Sequence, residues 1–204
     1  LTAEGTPESP TLALRDLMIA KPKLRGDDRE AADRLLARPA DGPNEPGGDG
    51  YPAGSTVKSG CTGGICVHYV DKTQNEQIGA TAAWASQTAQ VAKNAYSYLV
   101  NSRGYRAAPS DGTRGGNANL DIYLTDLGSQ GVYGYCAPED FVSGSDYRAT
   151  SYCVLDNDYA EFGPATPLDN LRVTAVHEIF HAIQFGYDAF EDAWLYEATA
   201  TWME

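Results

Sequence analysis

Apolar residues recur at intervals of three and four through Val173, Val176, Phe180 and Ile183, and at alternate positions through Ile65, Val67 and Tyr69. The first spacing predicts a helix with one face on a core, and the second predicts a strand over residues 65–70. Thr166 is placed as N-cap of the helix, Pro167 at its first position and Asp169 in its first turn, while Gly186 is expected to provide a left-handed stop. A second long helix is predicted over 75–103, where Ile78, Ala82, Ala85, Ala89, Ala92, Tyr96 and Leu99 fall on one stripe. Its alanines suit close packing on a sheet.

Further alternation predicts strands over 120–125, 132–136 and 152–156. Upstream, residues 12–38 read as two short helices broken at Lys21-Pro22-Lys23 and Gly26-Asp27-Asp28, with Asp27 or Asp28 as cap of the second. Residues 40–60 are crowded with Gly and Pro and read as an exposed linker. A last helix begins at Ala193, with Asp192 as its N-cap. The expected fold class is α+β: a mixed β-sheet with a long backing helix, preceded by a small helical segment. Residues 1–60 form that segment and its linker, and residues 61–204 form the main domain. A helical segment on a cleavable linker suggests a propeptide, with plain helical decoration as the alternative.

The formal charge of −13 argues against nucleic acid and against adsorption to an anionic membrane. No apolar run approaches the roughly 20 residues of a membrane span. Four cysteines, Cys61, Cys66, Cys136 and Cys153, favour two disulfides and an extracellular compartment. Local pairing, Cys61 with Cys66 and Cys136 with Cys153, is expected. The crossed pairings stay open.

The chemistry concentrates in residues 174–184, TAVHEIFHAIQ. On a helix His177 and His181 share one face, so both ring nitrogens can meet one cation, while Glu178 sits one position round, placed to deprotonate a water. Zinc is the metal this set suits, and a third ligand is needed. Glu191, Glu197 and Glu204 are the candidates. Glu197 falls within the first two turns of the last helix, whereas Glu204 is expected roughly 10 Å farther along it. His68 reads as a hydrogen-bonded strand histidine outside the site. Asp156-Asn157-Asp158 could take Ca²⁺, but it lacks a twelve-residue calcium loop and reads as a solvated turn. Glycines in 130–136 would let another backbone approach, so Val132, Tyr133, Gly134 and Tyr135 are the candidate substrate-binding edge strand.

His177 to His181, followed by Trp194-Leu195-Tyr196-Glu197-Ala198-Thr199-Ala200, resembles the gluzincin metallopeptidases, whose signature is H-E-x-x-H and then W-L-x-E-G-x-A. More narrowly, CVHYV, YGYC, VLDND, HEIFHAIQFGYD and EATATWME are similar to a group of secreted bacterial metallopeptidases, over roughly residues 61–204. The leading LRDL and ADRLLARP are similar to that group's N-terminal segments, which points to the propeptide reading. The resemblance implies a zincin-like fold and one zinc ion, with His177, His181 and Glu197 as metal ligands and Glu178 as general base. The implied activity is secreted endopeptidase action on a protein or peptide substrate; G-A-M-E-N, the mark of the aminopeptidase branch, does not occur. Many gluzincins carry an acidic residue four places after the glutamate ligand to orient an imidazole, and here Thr201 stands there. Gluzincins normally continue into a helical subdomain, so a C-terminal remainder of the same enzyme is an expected partner. The alternative is a latent or incomplete zinc-binding interaction module.

Overall fold

The computed structural model describes residues 9–41 and 49–204. The chain is α+β. Two short helices, α1 (Pro10–Ala20) and α2 (Gly26–Leu35), lead into the hairpin β1 (Val57–Thr62) and β2 (Ile65–Val70). Helix α3 (Ala82–Ser97), strands β3 (Leu120–Thr125), β4 (Gly134–Phe141) and β5 (Ala149–Asp156), and helices α4 (Pro167–Phe185) and α5 (Ala193–Met203) follow. Among the described residues the strands form one mixed sheet in the order β1-β2-β3-β5-β4. The pairs β2/β3 and β3/β5 are parallel; the pairs β1/β2 and β4/β5 at the two edges are antiparallel. No described helix is long and apolar enough to cross a membrane.

Strands β2 and β3 match the alternation that predicts them, residue for residue. Helix α4 begins as its caps predict, with Thr166 accepting a hydrogen bond from the Asp169 amide. Several other expectations need correction. Strand β1 lies in the stretch read as linker, so the sheet starts at Val57, ahead of the boundary drawn at Cys61; its residues are mostly exposed, so no alternation marks it. The turn joining it to β2 uses Gly63 and Gly64, both at positive φ, as a tight hairpin requires. Helix α3 starts only at Ala82, because the Thr81 side chain caps the Trp84 amide, while Asn75 folds residues 75–78 into a side-chain-bonded turn. Ile78 consequently joins the core on the other face of the sheet. Helix α2 has neither Asp27 nor Asp28 as its cap; Arg25 precedes it without a side-chain cap. Val173 is exposed, so the buried stripe of α4 runs instead through Leu171, Ala175, Ile179 and Ala182.

Gly186 is right-handed, at φ −74°, rather than a left-handed stop. Its use is spatial, since a Cβ there would lie 2.8 Å from Pro109 Cδ. Strand β4 begins two residues later than expected and extends to Phe141. Val132 and Tyr133 therefore precede the edge strand. The Tyr133 carbonyl still accepts from the Asp156 amide of β5, its ring stacks on Phe162 with ring centres 3.7 Å apart, and the Val132 amide is taken by the Leu127 carbonyl in the preceding turn.

Helices α3 and α4 cover one face of the sheet over a core that includes Ile65, Val67, Ile122, Leu155, Ile179 and Phe185. The alanines Ala85, Ala89 and Ala92 form the buried side of α3. The opposite face carries Tyr51, Tyr123, Tyr135, Tyr152 and Val154. Residues before β1 cap it: the Tyr152 hydroxyl donates to the Ala37 carbonyl at 2.8 Å, and Tyr51 donates to Leu124 O at 2.9 Å. Both cysteine pairs are local, Cys61 with Cys66 across β1/β2 and Cys136 with Cys153 across β4/β5.

Candidate metal centre

Helix α4 lies over β4 and β5 at a point where Gly134 removes the obstacle. A Cβ there would lie 2.8 Å from Thr174 Cγ2 and 2.9 Å from Leu155 Cδ2. This close approach sets Glu178, one turn beyond Thr174, deep against the edge of the sheet, where it is 6 % exposed. After Gly186 the chain turns back, tied by the Arg148 side chain on Gly186 O at 2.9 Å and by the Tyr196 hydroxyl on Asp188 O at 2.8 Å. Helix α5 then packs on α4 and brings Glu197 to the two imidazoles.

Three donors converge. His177 Nε2 and His181 Nε2 are 3.0 Å apart, Glu197 Oε2 is 3.4 Å from His177 Nε2, and Glu197 Oε1 is 3.7 Å from His181 Nε2. Ligands about 2.0 Å from a tetrahedral zinc lie about 3.3 Å from one another, so these spacings bracket the requirement. Glu197 Oε1 is also buried with no hydrogen-bond partner, a state that costs free energy unless a cation or donor meets it. The donor set fits a zinc ion.

The far side of each imidazole is held. His181 Nδ1 is 2.7 Å from Gln184 Oε1, and the Gln184 amide nitrogen donates to Tyr196 O at 3.1 Å and to Thr199 Oγ1 at 2.8 Å. With its NH₂ committed to α5, Gln184 offers its oxygen to an Nδ1–H, which leaves the Nε2 lone pair facing the site. His177 Nδ1 is 2.7 Å from Glu204 Oε1, an acceptor that would keep the proton on Nδ1 when Nε2 gives its lone pair to a cation. Neither Gln184 nor Glu204 was assigned this part from sequence. Gln184 follows His181 at helical spacing i+3, a signal that was there to be read. Glu204 requires knowledge of how α5 crosses α4.

Burial raises Glu178 to about 7, with Glu197 and Glu204 adding to the rise and His177 opposing it. His177 goes the other way from its burial: its hydrogen bond to Glu197, the nearby Glu178 and its bond to Glu204 together lift it to about 9. His181 is lowered by complete burial and by the neighbouring His177. Glu197 is lowered despite its burial, by His177, His181 and the Ser9 side chain. A carboxyl group raised by burial beside the ionised Glu197 is suited to taking and returning a proton at neutral pH.

Of the candidate edge residues, Gly134 and Tyr135 are in β4, and the Tyr135 hydroxyl bonds to Asp49, on the face of the sheet away from α4. His68 is a buried strand residue with Nε2 2.8 Å from Asp121 Oδ1, as read from sequence, and its ring stacks on Tyr123. Asp156 is not solvated: it is fully buried and accepts from the backbone amides of Leu127, Gly128, Asp158 and Tyr159. Asp158 pairs with Lys72 at 3.0 Å. Although Asp156, Asp158 and Glu161 lie close together, Asp156 serves as the organiser of a turn.

A larger group of charges lies on the other face of the sheet. The Arg38 guanidinium is buried against Asp111, Asp121 and Glu139, at 2.6 Å from Asp121 and 2.7 Å from Glu139. Arg114 adds a second bond to Glu139 at 2.9 Å.

No protein-family model, no curated protein and no solved structure matches this chain.

Proposed function

We propose that the chain is a secreted zinc-dependent endopeptidase of the gluzincin type, with a zincin-like fold. The observation that carries this reading is the convergence of His177, His181 and Glu197, each imidazole held from behind, beside a buried Glu178. His177, His181 and Glu197 would hold the zinc. Bound there, zinc lowers the pKa of water toward about 7 and polarises a carbonyl.

Glu178 accepts the proton of the attacking water on a carboxylate oxygen and passes it to the leaving amine. Glu204 and Gln184 keep the imidazole lone pairs aimed at the metal throughout. Strand β4 is at the end of the sheet order, and its side away from β5, met here by helix α1, would take an extended peptide by backbone pairing once that helix gives way. Two disulfides support an extracellular setting. The rival reading, a zinc-binding module without activity in this form, draws on one observation: the Thr11 hydroxyl donates to Glu178, so the base is engaged by the chain itself.

Metal content and hydrolysis of a denatured protein, with and without chelator, test the proposal. About one zinc per chain and chelator-sensitive cleavage are expected, with Glu178→Gln keeping the metal and losing the activity. Cleavage that survives complete removal of metal would sink it. Zinc bound with no cleavage in any form of the chain would favour the module.

A further inference from the structure

Helix α1 meets the metal centre end-on. Thr11, in its first turn, is 1 % exposed between the catalytic helix and the edge strand. The Thr11 hydroxyl donates to Glu178 Oε2 at 3.3 Å and accepts from the Cys136 amide at 2.9 Å. These contacts span 167 and 125 residues of chain, so they arise from docking of the segment and not from local folding. Farther along α1, Arg15 donates to Glu191 O at 2.9 Å and lies over the Tyr196 ring, which itself stacks on His181. The body of the helix packs along β4.

Cys136 lies on β4 with its side chain bonded to β5, yet its amide points to the free side of the strand and is taken by Thr11. A substrate backbone pairing with β4 would present a carbonyl to that amide, and an attacking water would present a proton to Glu178. One hydroxyl has a single donor and can also accept. Thr11 fills both roles at once.

The segment is held at its other end by Arg38, which is 2 % exposed among Asp111, Asp121 and Glu139. Arg38 precedes the Gly/Pro-rich stretch 40–48, so a cut in that stretch leaves both Thr11 and Arg38 on the N-terminal piece.

Building on the metallopeptidase reading, we propose that residues 9–41 are an internal inhibitor that occupies the substrate position through Thr11, not through a ligand to the metal. We further propose that it stays docked after the linker is cut because Arg38 remains in its carboxylate cluster. The Cys136 amide is then a substrate-positioning group, exposed only when the segment leaves. Breaking the Arg38 anchor strips three buried carboxylates of their main partner, so departure is slow unless Arg38 is disengaged.

The test uses the zinc-loaded full chain with a recognition sequence for a specific protease placed within residues 42–48. Co-elution of the two pieces, hydrogen exchange at the Cys136 amide and hydrolysis of a denatured protein are followed before and after cutting. Cut wild-type chain is expected to keep its N-terminal piece, to protect the Cys136 amide and to remain latent. In the cut Arg38→Met chain the piece should separate, with Cys136 exchange and hydrolysis both rising about tenfold or more. Should Arg38→Met fail to fold, Thr11→Val keeps the shape and deletes the hydroxyl; its cut piece should dissociate about tenfold faster than wild type.

Equal hydrolysis by uncut and separated forms would overturn the inhibitor and leave the metallopeptidase reading standing. Dissociation of the Thr11→Val piece at the wild-type rate would likewise overturn it. The exchange measurement needs no catalysis. If Cys136 is protected and released as expected while no form hydrolyses anything, the docking stands and the metallopeptidase reading falls.

Discussion

Glu204 and His177, 27 residues apart in sequence, meet with a carboxylate oxygen 2.7 Å from Nδ1 of the imidazole. The other nitrogen of that ring is 3.4 Å from Glu197, seven residues earlier and inside α5, which Glu204 follows as C-cap. One ring is thus spanned by a glutamate within α5 and another at its C-terminal end. The expectation that Glu204 lies well away from the metal overlooked the ring between them: the helix rise separates the two carboxylates, and His177 bridges the gap. Thr201 offers no carboxylate to either imidazole, and the one that His177 Nδ1 meets comes from Glu204.

Removing this carboxylate should loosen the metal without deleting a ligand. Glu204→Ala is expected to weaken zinc binding about 10- to 100-fold in a chelator competition, with Glu204→Gln nearer wild type because its oxygen can still accept from Nδ1–H. Unchanged affinity in the alanine variant would show the contact to be incidental.

Glu197→Ala should cost far more than Glu204→Ala, because it removes a donor atom. Metal content after dialysis is expected to fall well below one zinc per chain for Glu197→Ala, under conditions where Glu204→Ala retains it. The reverse ranking would exchange the roles of the two glutamates.

Arg38→Met should destabilise the fold by about 3–5 kcal/mol at pH 7, measured by urea unfolding, since it takes from Asp111, Asp121 and Glu139 the cation they share and leaves Glu139 with only the half-exposed Arg114. The deficit should shrink as the pH falls. Burial already raises Asp111, Arg38 opposing that rise, and without Arg38 its folded pKa climbs further above the unfolded value near 3.9. A group with a raised folded pKa binds more protons in the folded state, so stability grows as pH drops through that interval. A deficit independent of pH between 7 and 5 would contradict the account.

Gly134→Ala puts a methyl group 2.8 Å from Thr174 Cγ2 and 3.0 Å from the Val154 carbonyl. About 1–3 kcal/mol of destabilisation is expected from this overpacking, together with a shift of α4 that lowers zinc affinity. Thr174→Ser in the same chain removes the nearest of those atoms and should restore part of both losses. Thermal unfolding and the chelator competition measure the two effects.

The parts legible in the sequence are those whose causes are local. Strands β2 and β3 are buried on both faces and rich in β-branched and aromatic residues, and α4 carries its Thr166-Pro167-Asp169 start in sequence. The approach of His177, His181 and Glu197 was legible as well, because a short connection leaves the next helix little choice of path. Strand β1 was not, since an exposed edge needs no apolar alternation. The start of α3 was misplaced because the apolar stripe continues backward to Ile78, while Thr81 and Asn75 end the helix by side-chain bonds that compete with it. Thr11 and Glu204 gave no signal of their own. Their parts depend on contacts across 167 and 27 residues, which no periodicity records.

The bridge between Cys136 and Cys153 acquires a mechanical meaning from its place in the sheet. An outermost strand that exchanges one partner for another along its free side is open to being peeled off with the departing partner. Here the residue whose amide meets that partner is covalently stapled to the next strand inward, directly beneath the backbone of Glu178. Traction applied along its outer side is therefore borne by β5 and the body of the sheet, and the strand is braced as a fixed rail against whatever pairs with it.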